Sequence, residues 1–397
     1  MPDDEGNPPR RWAGGDARSR GSSPSGVGGA RRRRRSRWLR WTAVGGAALV
    51  LGAGGAGWVA YQKLDGNITS DTDGAAELER YEKERPTALV RGARNILLIG
   101  SDSRAGKANG RYGRDNGTQR SDTTILLHLA ADHRRATAVS VPRDLMVMVP
   151  ACRRRDGTRT GPVYAMFNHA FERGGSACTV RTVERLTRIR VDHYMIIDFR
   201  GFKQLVDALG GVRVCLRQSV HDPDAQLDLR AGVQTLDGEQ ALGYVRARKA
   251  LGDGSDTDRM DRQQRFLGAL VAKVNSNGVL LNPGRLYPVL DAATSSLTTD
   301  PGLASLRNLY ELVRGVRGIP TGRTQFLTLP RRPDPGNPNR DQLDNNSAKK
   351  LFAQLRMDAP VKVVRPPRSR AHGGEGGPVP SPTPTFRGST AGRDTCR

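Results

Sequence analysis

Asn95-Ile96-Leu97-Leu98-Ile99-Gly100 is a short, unbroken apolar run that passes into Ser101-Asp102-Ser103-Arg104. It has no polar face and reads as a buried strand. Working outward, further apolar or alternating runs lie at 123–129, 136–141, 145–149, 191–198, 212–216 and 325–329. Helical patterns are expected at 163–172, 179–187, 202–209, 284–293, 303–316 and 347–355, the third stopped by Gly210 and Gly211. Strands alternating with helices favour an α/β sandwich on a central sheet. No internal repeat is visible.

A second stretch carries the charge. Gly243-Tyr-Val-Arg246-Ala-Arg248 is followed by a Gly/Asp/Ser-rich turn and by Asp256-Thr-Asp-Arg259-Met-Asp-Arg262-Gln263-Gln264. At about 100° per residue, Asp256, Arg259 and Gln263 share a helix side with Leu267, Leu270 and Val274. The apolar stripe marks the buried side, so these polar groups need partners there. Arg246 and Arg248 are expected on one side of an extended segment. Several guanidinium groups and a Gln converging on one place point to a polyanion, phosphate or pyrophosphate. The bland alternative is a surface helix with internal ion pairs.

The formal charge of +24 is uneven: residues 1–40 hold eleven Arg and four acids. Such a balance suits nucleic acid, or work beside anionic lipids and phosphate-rich polymers. Topology separates these readings. From Trp41 to Tyr61 no residue is charged, which is long enough to cross a hydrocarbon core of about 30 Å. Trp38 and Trp41 at one end, and Trp58 and Tyr61 at the other, suit the two interfaces. Arg31 to Arg35, Arg37 and Arg40 precede the span, whereas Asp65, Asp71 and Asp73 follow it. The expectation is a single-pass type II membrane protein: a disordered basic cytoplasmic tail (1–40), a signal anchor (41–61) and an extracellular linker (62–93). The domain is expected over 94–360, before a disordered Pro/Gly/Ser-rich tail (361–397). A cleaved signal peptide would export the same domain. Either way, nucleic acid loses its standing as a partner.

Asp102 ends the first strand and Asp122, after Arg120 and Ser121, starts a neighbouring one. Two carboxylates brought together in a basic site suit a hard divalent cation, Mg²⁺ by preference, shared with substrate phosphates. Their plainer role is to cap turns. Arg143, in Val141-Pro-Arg143-Asp144, is a further candidate cation beside a surface ion-pair alternative. No Gly-x-Ser-x-Gly elbow, His-Glu-x-x-His, Walker loop or Cys-x-x-Cys occurs. Cys152 and Cys178 are expected to form a disulfide closing a loop of about 25 residues. Cys215 is expected to be buried or paired.

These segments, in this order, resemble the LytR-CpsA-Psr family of cell-envelope proteins. The resemblance rests on 95–104, Arg120-Ser-Asp122-Thr, Val141-Pro-Arg143-Asp144, Phe167-Asn-His-Ala-Phe with Gly174-Gly175, and Val191-Asp-His-Tyr194. It continues through Val206-Asp-Ala-Leu-Gly-Gly-Val212, Leu236-Asp-Gly-Glu-Gln-Ala-Leu242, the Arg246/Arg248 pair and 256–264, a motif core over 94–276. It implies a central mixed sheet flanked by helices after one membrane helix. The implied activity is a phosphotransferase that moves a glycopolymer from a polyprenyl (pyro)phosphate carrier onto peptidoglycan. By position, Asp102 and Asp122 match the Mg²⁺ pair, and Arg120, Arg246, Arg248, Arg259 and Gln263 the pyrophosphate cradle. Arg143 matches an arginine important for activity, and Asp256 is expected to orient the arginines. Met166 stands where relatives often carry Lys. An apolar groove for the prenyl chain is expected beside the cradle, walled by helices from 163–209 and 263–316. The competing readings are a polyprenyl-pyrophosphate phosphatase with the same cradle and a non-catalytic binder of lipid-linked glycan.

Overall fold

The computed structural model describes residues 29–101, 121–154, 156–216, 218–247, 256–274, 282–364 and 385–391. In chain order the central sheet holds β1 (Thr69–Ser70), β2 (Arg94–Ser101), β3 (Ser121–Leu129), β4 (Ala136–Val141) and β5 (His193–Asp198). It continues with β6 (Leu297–Thr299), β7 (Thr324–Thr328), β8 (Lys362–Val364) and β9 (Thr385–Thr390). Side by side they run β1-β6-β5-β2-β3-β4-β7-β9-β8. The sheet is mixed: β2 is antiparallel to β3 but parallel to β5, and β4 is parallel to β7.

The helices are α1 (Gly29–Gly66), α2 (Thr72–Arg80), α3 (His169–Thr187), α4 (Phe199–Ala208) and α5 (Gly238–Arg246). They are followed by α6 (Asp256–Val274), α7 (Pro283–Ser296), α8 (Leu306–Arg317) and α9 (Asn345–Arg356). Successive side chains of a strand point to opposite faces, and both faces of β2 are covered. Leu97 and Ile99 join a core with Val180 and Val183 of α3 and Leu351 of α9. Ile96 joins Leu309 and Leu312 of α8 on the other side. Leu267 of α6 packs over Ile125 and Ala138, with Leu98 beside it. Helices on both faces explain why the run 96–99 has no polar alternation. The α/β/α sandwich expected from the sequence is the architecture found.

Three local expectations are corrected. The pattern at 163–172 is not one helix: Val163–Met166 is a strand antiparallel to Met146–Val149, and α3 starts at His169. Val163 and Ala165 pack on the core while Tyr164 is exposed, so the short run has period two. The runs at 145–149 and 212–216 form the strands expected, outside the central sheet; Val212–Leu216 pairs with Gly232–Leu236. The stretch 62–93 is not a free linker. Ile68 and Leu78 are buried, β1 joins the sheet edge, and the Arg85 guanidinium donates to both Glu184 carboxylate oxygens. Nor is all of 361–397 without structure, since β8 and β9 extend the sheet and Phe386 sinks into the core.

Two units are distinguished, Met1–Val59 and Ala60–Arg397. In α1, Trp41–Gly66 is long and apolar enough to cross a membrane and 41–59 is exposed throughout, while the start at Gly29 makes 29–40 helical rather than the disordered tail expected. The segment Trp41–Gly66 contains the expected span and marks a single-pass membrane anchor. Cys152 and Cys178 form the expected disulfide with Cα atoms 5.6 Å apart, and Cys215 is disulfide-bonded too. Replacing Cys152 and Cys178 by Ser should lower stability by about 3 kcal/mol, read from the denaturant midpoint of the oxidised chain.

Candidate active site

Five of the expected site residues, Asp122, Arg143, Arg246, Arg259 and Gln263, line one pocket of about 480 Å³. Each arrives by a different local device. Gly100 pairs with Thr123, but Ser101 pairs with Ser121, which leaves Asp122 as the extra residue of a β-bulge. A bulge re-aims a side chain, and here the bulged acid lines the pocket. Ser101, the last described residue before Asp102, is the partner of the residue next to Asp122.

Arg143 follows the end of β4 and is fixed from two sides. Its Nη1 donates to Asp122 Oδ1 at 3.0 Å and its Nε to Asp144 Oδ2 at 3.3 Å. Its side chain is 20% exposed and that of Asp122 is 34% exposed, so the pair sits on the pocket wall partly open to solvent.

Arg259, Gln263 and Leu267 follow one another at intervals of four along α6, and all three line the pocket. This part of the stripe read from periodicity faces the pocket, whereas Leu270 packs on the core around Val206, Val212 and Phe266. Arg259 is only 5% exposed. The neighbouring motif residues do different work. The Nη2 of buried Arg262 donates to the Ala247 carbonyl, and Gln263 Nε2 donates to the Val245 carbonyl at 3.2 Å. Burial lowers the pKa of Arg262 from the ordinary guanidinium value. Together these bonds clamp the C-terminal end of α5 against α6, which fixes Arg246. Gln264 is buried and donates to Ser140 Oγ and Thr328 Oγ1 at 3.1 and 3.0 Å, tying α6 to β4 and β7.

Arg246 is a correction: it is the last helical residue of α5, not part of an extended segment. The capping box of Asp237 and Gln240 starts this helix upstream, and the sequence run Leu236 to Leu242 contains that signal. The Arg246 guanidinium lies 4.7 Å from the centroid of the Phe199 ring, which holds it by cation–π attraction. Asp102, Arg120 and Arg248 lie outside the described residues, as does the side chain of Asp256, the first residue of α6.

Much of the remaining wall is apolar. Leu98, Ile125, Met195 and Ile197 rise from the sheet, and Phe199, Phe202, Phe266 and Leu267 come from α4 and α6. An apolar wall beside the cations was expected, but the sheet itself supplies its floor. Phe202 and Phe266 rings are 5.5 Å apart, and Tyr244 stands 6.5 Å from Phe266. Asp222 and Asp224 also line the pocket and were not singled out from the sequence. A nearby Pro223 and a short 3-10 turn capped by Asp222 Oδ1 on the Ala225 N–H were the only signals available. Among the described residues no group of three or more His, Cys, Asp or Glu side chains is placed to hold a metal.

The model of the LytR_cpsA_psr family matches residues 65–357. The probable cell wall biosynthesis protein LcpB of Corynebacterium glutamicum is 39% identical over 250 residues, 61% of this chain and 57% of that protein. LcpA of the same organism, a cell wall biosynthesis protein, is 32% identical over 72% of this chain and 58% of its own length. The polyisoprenyl-teichoic acid–peptidoglycan teichoic acid transferase TagT of Bacillus subtilis is 32% identical over 73% of this chain and 85% of that protein. The chain thus spans less than two thirds of the two corynebacterial relatives. Among solved structures, a LytR-Csp2A-Psr enzyme from Actinomyces oris shares the fold with a TM-score of 0.53 at 22% identity, covering 68% of this chain and 93% of that one. TagT bound to LI-WTA gives 0.51 at 25% identity, covering 69% and 96%. With the family match running through both the sheet and the pocket-lining helices, this chain belongs to the LytR-CpsA-Psr family.

Proposed function

We propose that the chain is a transferase that moves a glycopolymer from a polyprenyl diphosphate carrier onto peptidoglycan. One observation carries this reading: Arg143, Arg246 and Arg259 line the same pocket as Phe199, Phe202 and Phe266. A ligand that satisfies both halves has a multiply charged head and a hydrocarbon tail. TagT, whose name gives a polyisoprenyl-linked donor and a peptidoglycan acceptor, supports the same assignment.

In this reading Arg246, Arg259 and Gln263 bind the diphosphate oxygens, and Arg120 and Arg248, outside the described residues, complete the cradle. A peptidoglycan hydroxyl oxygen attacks the sugar-bearing phosphorus. The new O–P bond forms as the bond to the bridging oxygen breaks, polyprenyl phosphate leaves, and the hydroxyl proton is released. Guanidinium groups fixed in a water-poor pocket stabilise the charge that builds on the leaving phosphate without reorganising. The Arg143 guanidinium, already seated on Asp122 Oδ1, sits where it can orient that acid toward the head group.

The oxygen donors at the pocket's polar end suit a magnesium ion. The Asp122 carboxylate and the Ser101 and Thr123 residues line it, and a hard cation commonly takes one or two carboxylates plus substrate phosphates. Asp122, with Asp102, would hold the ion, which when bound neutralises phosphate charge. The arginine-rich leader places the N-terminus in the cytoplasm and the domain outside the cell. A reporter enzyme active only outside the cytoplasm, fused after residue 391, should be active on intact cells; an inactive fusion made at normal level opposes that orientation.

The test is incubation of the full chain in detergent with labelled lipid-linked glycan, peptidoglycan and Mg²⁺. Label joined to peptidoglycan supports the proposal. Release of phosphate without joining supports a phosphatase instead, and tight donor binding without turnover supports a binding protein.

A further inference from the structure

A second cavity, of about 740 Å³, adjoins the first: Ser101, Asp198 and Leu297 line both spaces. Its volume falls in the roughly 300–1,000 Å³ range of ligand sites. Its chemistry differs from that of the first pocket. The described lining carries four acids, Asp71, Asp73, Glu77 and Asp198, balanced by four arginines, with serine hydroxyls and Gln204 between them. It lacks the phenylalanine wall of the first pocket, Phe171 being the one aromatic residue on its described lining. It suits a polyhydroxylated ligand, whose hydroxyls donate to carboxylates and accept from guanidinium groups.

The cavity is built rather than left over. It forms where α3 breaks at Gly174 and Gly175, both of which line it. Gly175 has φ of +61° and ψ of −148°, a conformation that side chains other than glycine's rarely adopt. A Cβ at Gly174 would meet Cys152 Cβ and Cys178 Cβ at 2.9 Å, so the disulfide is packed directly under the break. Deeper in, Ser176 Oγ and Tyr194 OH both donate to Asp71 Oδ2, the tyrosine at 3.1 Å. Burial and the Asp71 charge raise the tyrosine's pKa, so it stays a donor. Asp198 Oδ1 accepts from the Gly201 N–H at 2.7 Å, which pins a carboxylate that lines both spaces.

We infer that this cavity is the acceptor subsite, where a saccharide segment of the peptidoglycan strand lies with its reacting hydroxyl reaching past Ser101 and Asp198 to the diphosphate in the adjoining pocket. The inference rests on the transferase reading and adds the place of the second substrate. A polar acceptor and a greasy donor then occupy different spaces that adjoin at Ser101, Asp198 and Leu297.

Ala76 of α2 and Gln204 of α4 are exposed residues on the lining of this cavity and not of the first. Ala76→Trp and Gln204→Trp would fill it from opposite sides without entering the donor pocket. With the full chain in detergent and a soluble glycan-strand oligosaccharide as acceptor, each variant should raise the acceptor KM about tenfold while donor affinity stays unchanged. Saturation-transfer NMR of the oligosaccharide alone needs no turnover: signal on the wild type, lost in both variants, is the expected result. Equal binding to wild type and variants, or binding to none, overturns the acceptor subsite. Should the variants lose oligosaccharide binding while the wild type takes no polyprenyl diphosphate, the subsite stands and the transferase reading falls.

Discussion

Arg259→Ala is expected to lower the rate of glycan transfer by about 10³-fold, near the upper end of what one fixed charge-stabilising donor contributes. The reason is position. Arg259 is 5% exposed, stands on α6 in step with Gln263, and lines the pocket that also holds Arg143 and Arg246. A guanidinium in such a water-poor place acts on a phosphate far more strongly than it would at the surface. Stability should suffer much less. Truncation leaves a void, but it also removes a cation whose burial was costly, and α6 keeps the Gln264 bonds to Ser140 and Thr328. A loss of roughly 1–3 kcal/mol in the denaturant midpoint is expected, without loss of the fold. Arg259→Lys keeps the charge and loses the planar fork, so it should recover little of the rate. Full activity in Arg259→Ala would remove this residue from the site.

The second large effect is expected at Asp122. Asp122→Asn keeps the shape and removes the charge. If the acid helps to hold a magnesium ion against the diphosphate, the rate should fall by about 10³-fold, since charge neutralisation of that kind contributes several kcal/mol to phosphoryl transfer. A binding readout separates this from a merely structural loss: Mg²⁺ titration calorimetry with a non-hydrolysable donor present should show a clear heat for the wild type and none for the variant. The fold should be nearly unaffected. The Asp122 side chain is 34% exposed, and an ion pair of that exposure contributes about 0–1 kcal/mol. Equal magnesium affinity in both proteins would leave Asp122 as a partner of Arg143 and no more.

Much of this was legible from residue order. The run at 95–100 announced a strand covered on both faces, and the structure buries Leu97 and Ile99 on one side and Ile96 on the other. The spacing of Arg259, Gln263 and Leu267 announced a stripe, which lines the pocket as a unit. The sequence misled where short segments carried two periods at once. Val163 to Met166 fits a helical pattern until tertiary pairing with Met146–Val149 decides for a strand. Arg246 alternates with Val245 as in a strand, yet the capping box at Asp237 starts a helix that runs through it. A short helix could be read at 75–85, and one forms at Thr72–Arg80, but polar composition hid its docking, because Ile68 and Leu78 find their core only in the folded domain. The partnership of Asp122 with Arg143 depends on a bulge, and a one-residue shift in register cannot be seen in the strand's own sequence.

The most direct test of the central claim is a crystal structure of the chain with a short-chain polyprenyl diphosphate bound. The account predicts both phosphates within hydrogen-bonding distance of Arg246 and Arg259, and the hydrocarbon against Phe199, Phe202 and Phe266. Phosphates seated in the Asp71–Ser176 cavity instead, or a prenyl chain left in solvent away from the aromatic wall, would contradict it.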